Sequence, residues 1–586
     1  MDPETCPARQ RRPLVIWRAA LVAALAALLV LPSLGQRFIV TGDEARFAVL
    51  AQDMLARGTW FDARVRDQRY RNKPLLYPWA IKILSLPKGR VTETTAQLPI
   101  AAAAVAAVFF TTLLGQQLFS ARAGVGAGLV TATSYAFFAH SHVLLPDMLV
   151  VAFGLAALCA FWAAMSRPPG TLALAAFYTA VALGVAAKGP MGLLAVLVAV
   201  VWLLTEEGVG GLRRLASRLG AVAFVVVTAV WLLPYLFAGG RSYAHSVVWE
   251  DWLAWYLGGP QPLKMLNMLL EGAQGLSPWT TLLVLPLLAV RRQWRDAPFR
   301  FAFLAWIVPL VVVTLSQNHR ARYLLPTYPA AALLVAWWCD RHGTERSRAV
   351  VVVTALTGIG TLVALTVLAV PWIDPMKREL VDHFWPKAAA MTVGAMAVMA
   401  FACWMLLTQR PRALVGGLAL GMAALLASGM QIYNGSVNRG QNYPALAALV
   451  ERYAVGGDVG ISGGRFFSID FYLGRALTPV RTVAAFDEWL QRPDRPLVVI
   501  SGRAWRLMRG QARPDVEVLD TLRVRSHLMF LLGVTEPRPS RAGAEPRPSR
   551  PAHPRPEPAS RPPLQQPRPS RSGHPRLEPA SRHPLQ

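Results

Sequence analysis

Asp43 and Glu44 stand side by side in Thr41-Gly42-Asp43-Glu44-Ala45-Arg46, just past the first long apolar run of the chain. A further acid, Asp147, follows Leu144-Leu145-Pro146 at the head of a later apolar run. Bases recur in similar places: Lys73 in Asn72-Lys73-Pro74, Lys188 in Lys188-Gly189-Pro190, and Arg320 and Arg322 just before and after Ala321. Carboxylates of this kind can take a proton or steady a developing positive charge, and cationic side chains can steady an anion. Singly, each has a plainer explanation. Asp147 can favour a helix dipole, and Lys188, Arg320 and Arg322 can snorkel to headgroups. Ionisable groups beside hydrocarbon are costly, however, and several that converge mark a site.

The elements that must position them are membrane helices. The 586 residues are 54% hydrophobic and 16% charged, too apolar for an ordinary soluble chain. Apolar runs fall near 14–35, 96–114, 123–140, 144–165, 171–187, 190–204, 219–237, 264–290, 301–315, 322–339, 349–370, 388–408 and 412–432, which predicts about 13 transmembrane helices. Arginines concentrate in alternate short loops: Arg122; Arg167; Arg213, Arg214 and Arg218; Arg291, Arg292, Arg295 and Arg300; Arg341, Arg346 and Arg348; Arg410 and Arg412. The positive-inside rule then puts the N-terminus in the cytoplasm and every candidate acid and base on the outer face.

The long outer loop 36–95 is itself basic, which fits lipid headgroups or a pocket for a phosphate or pyrophosphate. Within it, Glu44 to Arg57 has a helical apolar pattern closed by Gly58, and Pro74 to Leu86 reads as a short interfacial helix. A second outer loop, 238–263, carries Tyr243, His245, Trp249, Glu250, Asp251, Trp252, Trp255 and Tyr256, which suits an interfacial belt or a sugar-binding face.

The domain reading is a cytoplasmic segment 1–13, a transmembrane domain 14–432, a periplasmic α/β domain 433–534 and a disordered Pro/Arg-rich tail 535–586. In the third, strands are predicted over Asp458 to Ser462, Leu497 to Ser501, Val516 to Val524 and Leu528 to Val534. Helices are predicted over Pro444 to Tyr453 and Val483 to Gln491. In the tail, Ala552 to Gln565 returns as Gly573 to Gln586 with three changes, and so Pro-rich a segment cannot form a core. The net charge of +27 is spread over inner loops and this tail, which speaks for membrane orientation and an anionic ligand and against nucleic acid. Cys6, Cys159, Cys339 and Cys403 show no metal spacing and no disulfide pattern.

Five segments recur in the order of one family: Gly42-Asp43-Glu44-Ala45-Arg46-Phe47, Tyr70-Arg71-Asn72-Lys73-Pro74-Leu75-Leu76-Tyr77, Leu144-Leu145-Pro146-Asp147, Ala187-Lys188-Gly189-Pro190 and Arg322-Tyr323-Leu324-Leu325-Pro326. Together they resemble the aminoarabinose lipid A transferase and protein O-mannosyltransferase superfamily, which are GT-C glycosyltransferases dependent on polyprenyl-phosphate sugars. Phe471-Tyr472-Leu473-Gly474-Arg475 resembles the C-terminal region of bacterial members. The resemblance implies a GT-C fold in a bacterial inner membrane. It implies transfer with inversion, from a polyprenyl-phosphate sugar to a lipid, glycan or protein acceptor, with membrane lipids as neighbours. Asp43 matches the acid at the reacting centre, Glu44 flanks it and Asp147 matches the second acid. Arg46, Lys73, Lys188, Arg320, Arg322 and Tyr323 are expected to bind the donor.

Two positions depart from the aminoarabinose transferase pattern. Asn72 stands where that subfamily has Glu, and Asp251 stands where it has His; both positions serve metal binding there. Asn72 and Asp251 keep oxygen ligands, which suit magnesium or manganese better than zinc. A divalent metal is therefore the one cofactor the sequence leaves open. The competing readings are a flippase or transporter of an anionic polyprenyl lipid, and a silent assembly subunit. The first lacks paired Gly/Pro-broken spans, and the second sits poorly with retained Asp43, Lys73 and Asp147.

Overall fold

The computed structural model describes residues 11–534 apart from 250–260, 342–385 and shorter stretches that include 71–72, 167–169, 246–248 and 493–496. The predicted span 349–370, much of 388–408, Asn72, Asp251 and the tail 535–586 lie outside the described residues.

Long apolar helices dominate: α1 (Arg11–Val30), α4 (Glu93–Leu118), α7 (Asp147–Ser166), α8 (Thr171–Lys188), α9 (Leu194–Glu207), α10 (Arg218–His245), α13 (Ala297–Thr314), α14 (Thr327–Arg341) and a further helix, Pro411–Gly440. Among the described residues six stretches are long and apolar enough to cross a membrane, or seven if one bent pair is a single span. The chain is a multi-pass membrane protein.

Two predicted spans are broken. The run 123–140 divides into α5 (Ala121–Ala132) and α6 (Tyr135–His140). At the break, Thr133 and Ser134 donate their hydroxyls to the carbonyls of Leu129 and Val130, each at 2.7 Å. Such back-bonding competes with the helical ladder. The run 264–290 divides into α11 (Pro262–Gly275) and α12 (Thr280–Gln293), which meet at 108°.

The first outer loop is folded. Gly42–Ala56 forms α2, two residues longer at its N-terminus than predicted because Thr41 caps it by accepting from the Glu44 N–H at 3.3 Å. Leu76–Ser85 forms α3, and a short antiparallel pair, β1 (Arg64–Val65) with β2 (Gln68–Arg69), lies between. Phe47, Leu50 and Met54 of α2 and Tyr77 and Ile81 of α3 are buried in the same core as the membrane helices. The loop is thus anchored on the bundle by its apolar face.

The strands predicted beyond 433 form within one residue of the expected bounds: β3 (Val459–Ser462), β5 (Leu497–Ser501), β6 (Val516–Val524) and β7 (His527–Val534), joined by an unpredicted two-residue β4 (Thr478–Pro479). The sheet order is β4-β3-β5-β7-β6, with β3 parallel to β4 and β5, and β7 antiparallel to β5 and β6. β3 and β5 are buried throughout, as strands covered on both faces must be.

One helix of this region, Phe467–Leu473, packs on α2. There Arg66 donates to Asp470 at 2.7 and 3.1 Å, with the Asp470 side chain 1% exposed. Burial pushes the Asp470 carboxyl above its usual range, and Arg66 offsets this only in part. Tyr472 accepts from the Ile39 N–H at 2.8 Å, and Asn438 accepts from the Phe38 N–H at 2.8 Å. The segment leading into α2 is therefore held from both sides.

Candidate active site

The site is assembled from helix ends. α2 presents Asp43 in its first turn, α7 presents Asp147 as its first residue, and α8 ends on Lys188. Each placement suits the helix dipole: acids at N-termini, a cation at a C-terminus. Gly189 follows Lys188 with φ +65°, a conformation that lets the chain reverse there. The short 3₁₀ turn Ala321–Leu324 brings in Arg322 and Tyr323, with Arg320 just before it.

Asp43 is 42% exposed and has three guanidinium neighbours: Arg46 at 3.4 Å, Arg320 at 3.5 Å and Arg322 at 3.6 Å. Behind it, Lys188 Nζ donates to Asp147 Oδ1 at 2.5 Å, and both side chains are 7% exposed. Lys188 also lies 4.2 Å from the centroid of the Tyr323 ring, and Arg322 lies 5.5 Å from it. Arg322 is shared, since Asp147 and Asp43 both stabilise its charge. Lys73 lies near enough to Lys188 to repel it. The sequence-predicted Asp43, Asp147, Arg46, Lys73, Lys188, Arg320, Arg322 and Tyr323 thus form one neighbourhood.

Several buried polar atoms in it have no protein partner among the described residues: Nε of Arg46, Nε of Arg322 and both ring nitrogens of His319. Buried polar groups are normally satisfied, and orphans of this kind at a cationic site suit a ligand. His319 is absent from the predicted site residues. Its nearness in sequence to Arg320 was the available signal, but no spacing rule marks it.

Glu44 is placed differently from the expectation that it flanks the reacting acid. Successive residues on a helix point about 100° apart, and Glu44 turns inward, its side chain 3% exposed. It accepts from both terminal nitrogens of Arg37, one at 3.1 Å, from Thr41 Oγ1 at 3.0 Å and from the Leu144 N–H at 3.1 Å. Arg37 also donates to the His142 carbonyl at 3.2 Å. His142 shares a hydrogen bond of 2.7 Å with Ser33, and burial keeps its pKa below the usual histidine value. This network ties α2 to the hairpin that delivers Asp147. Arg37 itself went unrecognised in the sequence, where it has no motif.

The proposed metal positions, Asn72 and Asp251, are both outside the described residues. Among the described residues no three His, Cys, Asp or Glu side chains gather as a metal would require.

A family model described as dolichyl-phosphate-mannose-protein mannosyltransferase matches residues 72–234. The undecaprenyl phosphate-alpha-4-amino-4-deoxy-L-arabinose arabinosyl transferase of Edwardsiella ictaluri is 23% identical over 478 residues, covering 76% of this chain and 82% of its own. Its counterpart from Aeromonas salmonicida is 26% identical over 395 residues, covering 65% and 70%. The crystal structure of ArnT from Cupriavidus metallidurans bound to undecaprenyl phosphate superposes with a TM-score of 0.75 at 19% identity, covering 90% of this chain and 99% of that one. The chain is similar to the aminoarabinose and protein O-mannosyl transferases and shares the fold of that ArnT structure. In this chain the grouped acids and bases sit at the ends of α2, α7 and α8 and in the Arg320–Tyr323 segment.

Proposed function

We propose that this glycosyltransferase moves a sugar from a polyprenyl-phosphate carrier to a lipid, glycan or protein acceptor at the periplasmic face of a bacterial inner membrane, with inversion. Its N-terminus then lies in the cytoplasm and the α/β region in the periplasm. The observation that carries this reading is the surplus of cationic donors around Asp43, with buried N–H groups on Arg46 and Arg322 left without partners among the described residues.

The contacts of Asp43 at 3.4 to 3.6 Å are long for ion pairs. A phosphate offers guanidinium groups shorter, bidentate bonds, so the donor's phosphate displaces the carboxylate and leaves it free. The acceptor oxygen attacks the anomeric carbon as the carbon–oxygen bond to phosphate breaks. The electron pair leaves with the phosphate, where Arg46, Arg320, Arg322 and Lys73 stabilise it. For a hydroxyl acceptor, Asp43 takes the proton; for a phosphate acceptor it stabilises the positive character of the anomeric carbon. Asp147 holds Lys188 against Tyr323 and keeps that cation facing the phosphate. Glu44 is a positioning residue in this scheme.

The test is transfer by purified protein in liposomes loaded with a polyprenyl-phosphate sugar. Sugar on a new acceptor, with release of polyprenyl phosphate, is expected. Unchanged donor lipid moved to the other leaflet would instead make the protein a flippase.

A further inference from the structure

A second cavity lies at the opposite end of the bundle from Asp43. Its volume is about 490 Å³, and among the described residues it is lined by parts of α1, α5, α14 and Pro411–Gly440. Arg18, two residues into the apolar stretch of α1 that starts at Ile16, and Arg122, the second residue of α5, both reach it. Both are exposed, and no ion pair engages either among the described residues. Its other walls include Val125, Leu129 and Ala336.

We propose that this cavity binds the headgroup and upper acyl chain of an anionic phospholipid from the leaflet opposite the active site. The volume falls in the range of small-ligand pockets. Two guanidiniums lining one cavity suit a phosphodiester, and basic pockets between membrane helices are recognised sites for anionic headgroups. The apolar wall accounts for the rest of the ligand; a free phosphate would leave it wet. The carboxylate of Asp340 shares the rim, but it is engaged by Ser120 Oγ at 2.6 Å. The glycines supply the room. A Cβ on Gly416 would meet nothing within 4 Å, and one on Gly126 would meet only Ala336 and Val415. The lipid therefore wedges among four helices on the face away from catalysis and binds independently of the sugar donor.

The full chain in detergent is titrated with phosphatidylglycerol and with phosphatidylcholine and followed by native mass spectrometry. One phosphatidylglycerol is expected to bind roughly ten- to thirtyfold more tightly than phosphatidylcholine, the preference that two basic groups supply. Arg18→Gln with Arg122→Gln removes that preference. Gly416→Leu, which fills the void and keeps both charges, blocks both lipids. Inorganic phosphate does not compete. Equal affinity for the two lipids, or unchanged phosphatidylglycerol binding in both variants, would overturn the site. Competition by inorganic phosphate would overturn the lipid as its occupant.

Discussion

Asp43 and Glu44 are adjacent on α2, yet their surroundings differ in kind. Glu44 is 3% exposed and accepts four hydrogen bonds, two of them from Arg37. Asp43 is 42% exposed and touches three guanidiniums, none closer than 3.4 Å. One carboxylate has spent its bonding capacity inside the protein, and the other has kept it. A saturated buried pair fixes geometry; a loosely held acid beside orphaned donors can exchange partners with a ligand. Function and architecture here are separated by about a third of a helical turn.

That contrast can be broken most sharply at Asp43. Asp43→Asn is expected to lower the transfer rate by about 10³-fold, within the range for a lost proton-transferring group. Its thermal unfolding midpoint should match the wild type. Full activity in a folded Asp43→Asn protein would remove the proposed mechanism.

Glu44→Ala should behave in the opposite way. Removing one partner of a buried pair costs about 3–5 kcal/mol, so the loss should appear in detergent-resistant folding, measured by thermal denaturation. The double variant Arg37→Leu with Glu44→Leu should regain part of that stability, because it leaves no lone charge inside. A Glu44→Ala protein as stable as the wild type would show that the clamp is unimportant.

A finer cut separates the arginines. Arg322 is shared by two acids and its side chain is 22% exposed, whereas that of Arg320 is 56% exposed. Arg322→Ala should raise the KM for donor about 10- to 100-fold, the loss expected of a charge-assisted hydrogen bond of about 1.5–3 kcal/mol. Arg320→Ala should change it only a few-fold. Equal effects would mean that burial does not rank these contacts.

The smallest effect is a pH dependence at the other buried pair. The folded-state pKa of Asp470 lies above its unfolded value. The folded chain then binds more protons than the unfolded one between those two values, so stability falls as pH rises across the interval. Asp470→Asn should flatten that slope in melts taken from pH 3.5 upward, and an unchanged slope would assign it to another group.

The helix pattern of the first outer loop and the strands after 433 were legible because burial follows period: α2 hides Phe47, Leu50 and Met54, and β5 is apolar at every residue but its last. Asp43, Asp147 and Lys188 were legible because charges beside apolar runs are rare. The inward turn of Glu44 was not, since it depends on Arg37 and on a backbone N–H 100 residues away. The breaks at Thr133 and between α11 and α12 were also hidden, because both halves of each run remain apolar. His319 falls in the same outer polar cluster as Arg320, but what singles it out is that neither ring nitrogen has a partner among the described residues.

The docking of Phe467–Leu473 on α2 has a practical corollary. A chain shortened before that helix would keep every reacting group named above and still lose the brace on Ile39 and Arg66 that sets the approach of Asp43. Such a truncation should insert normally and turn over poorly, which makes the C-terminal α/β region a precision mount and not an accessory.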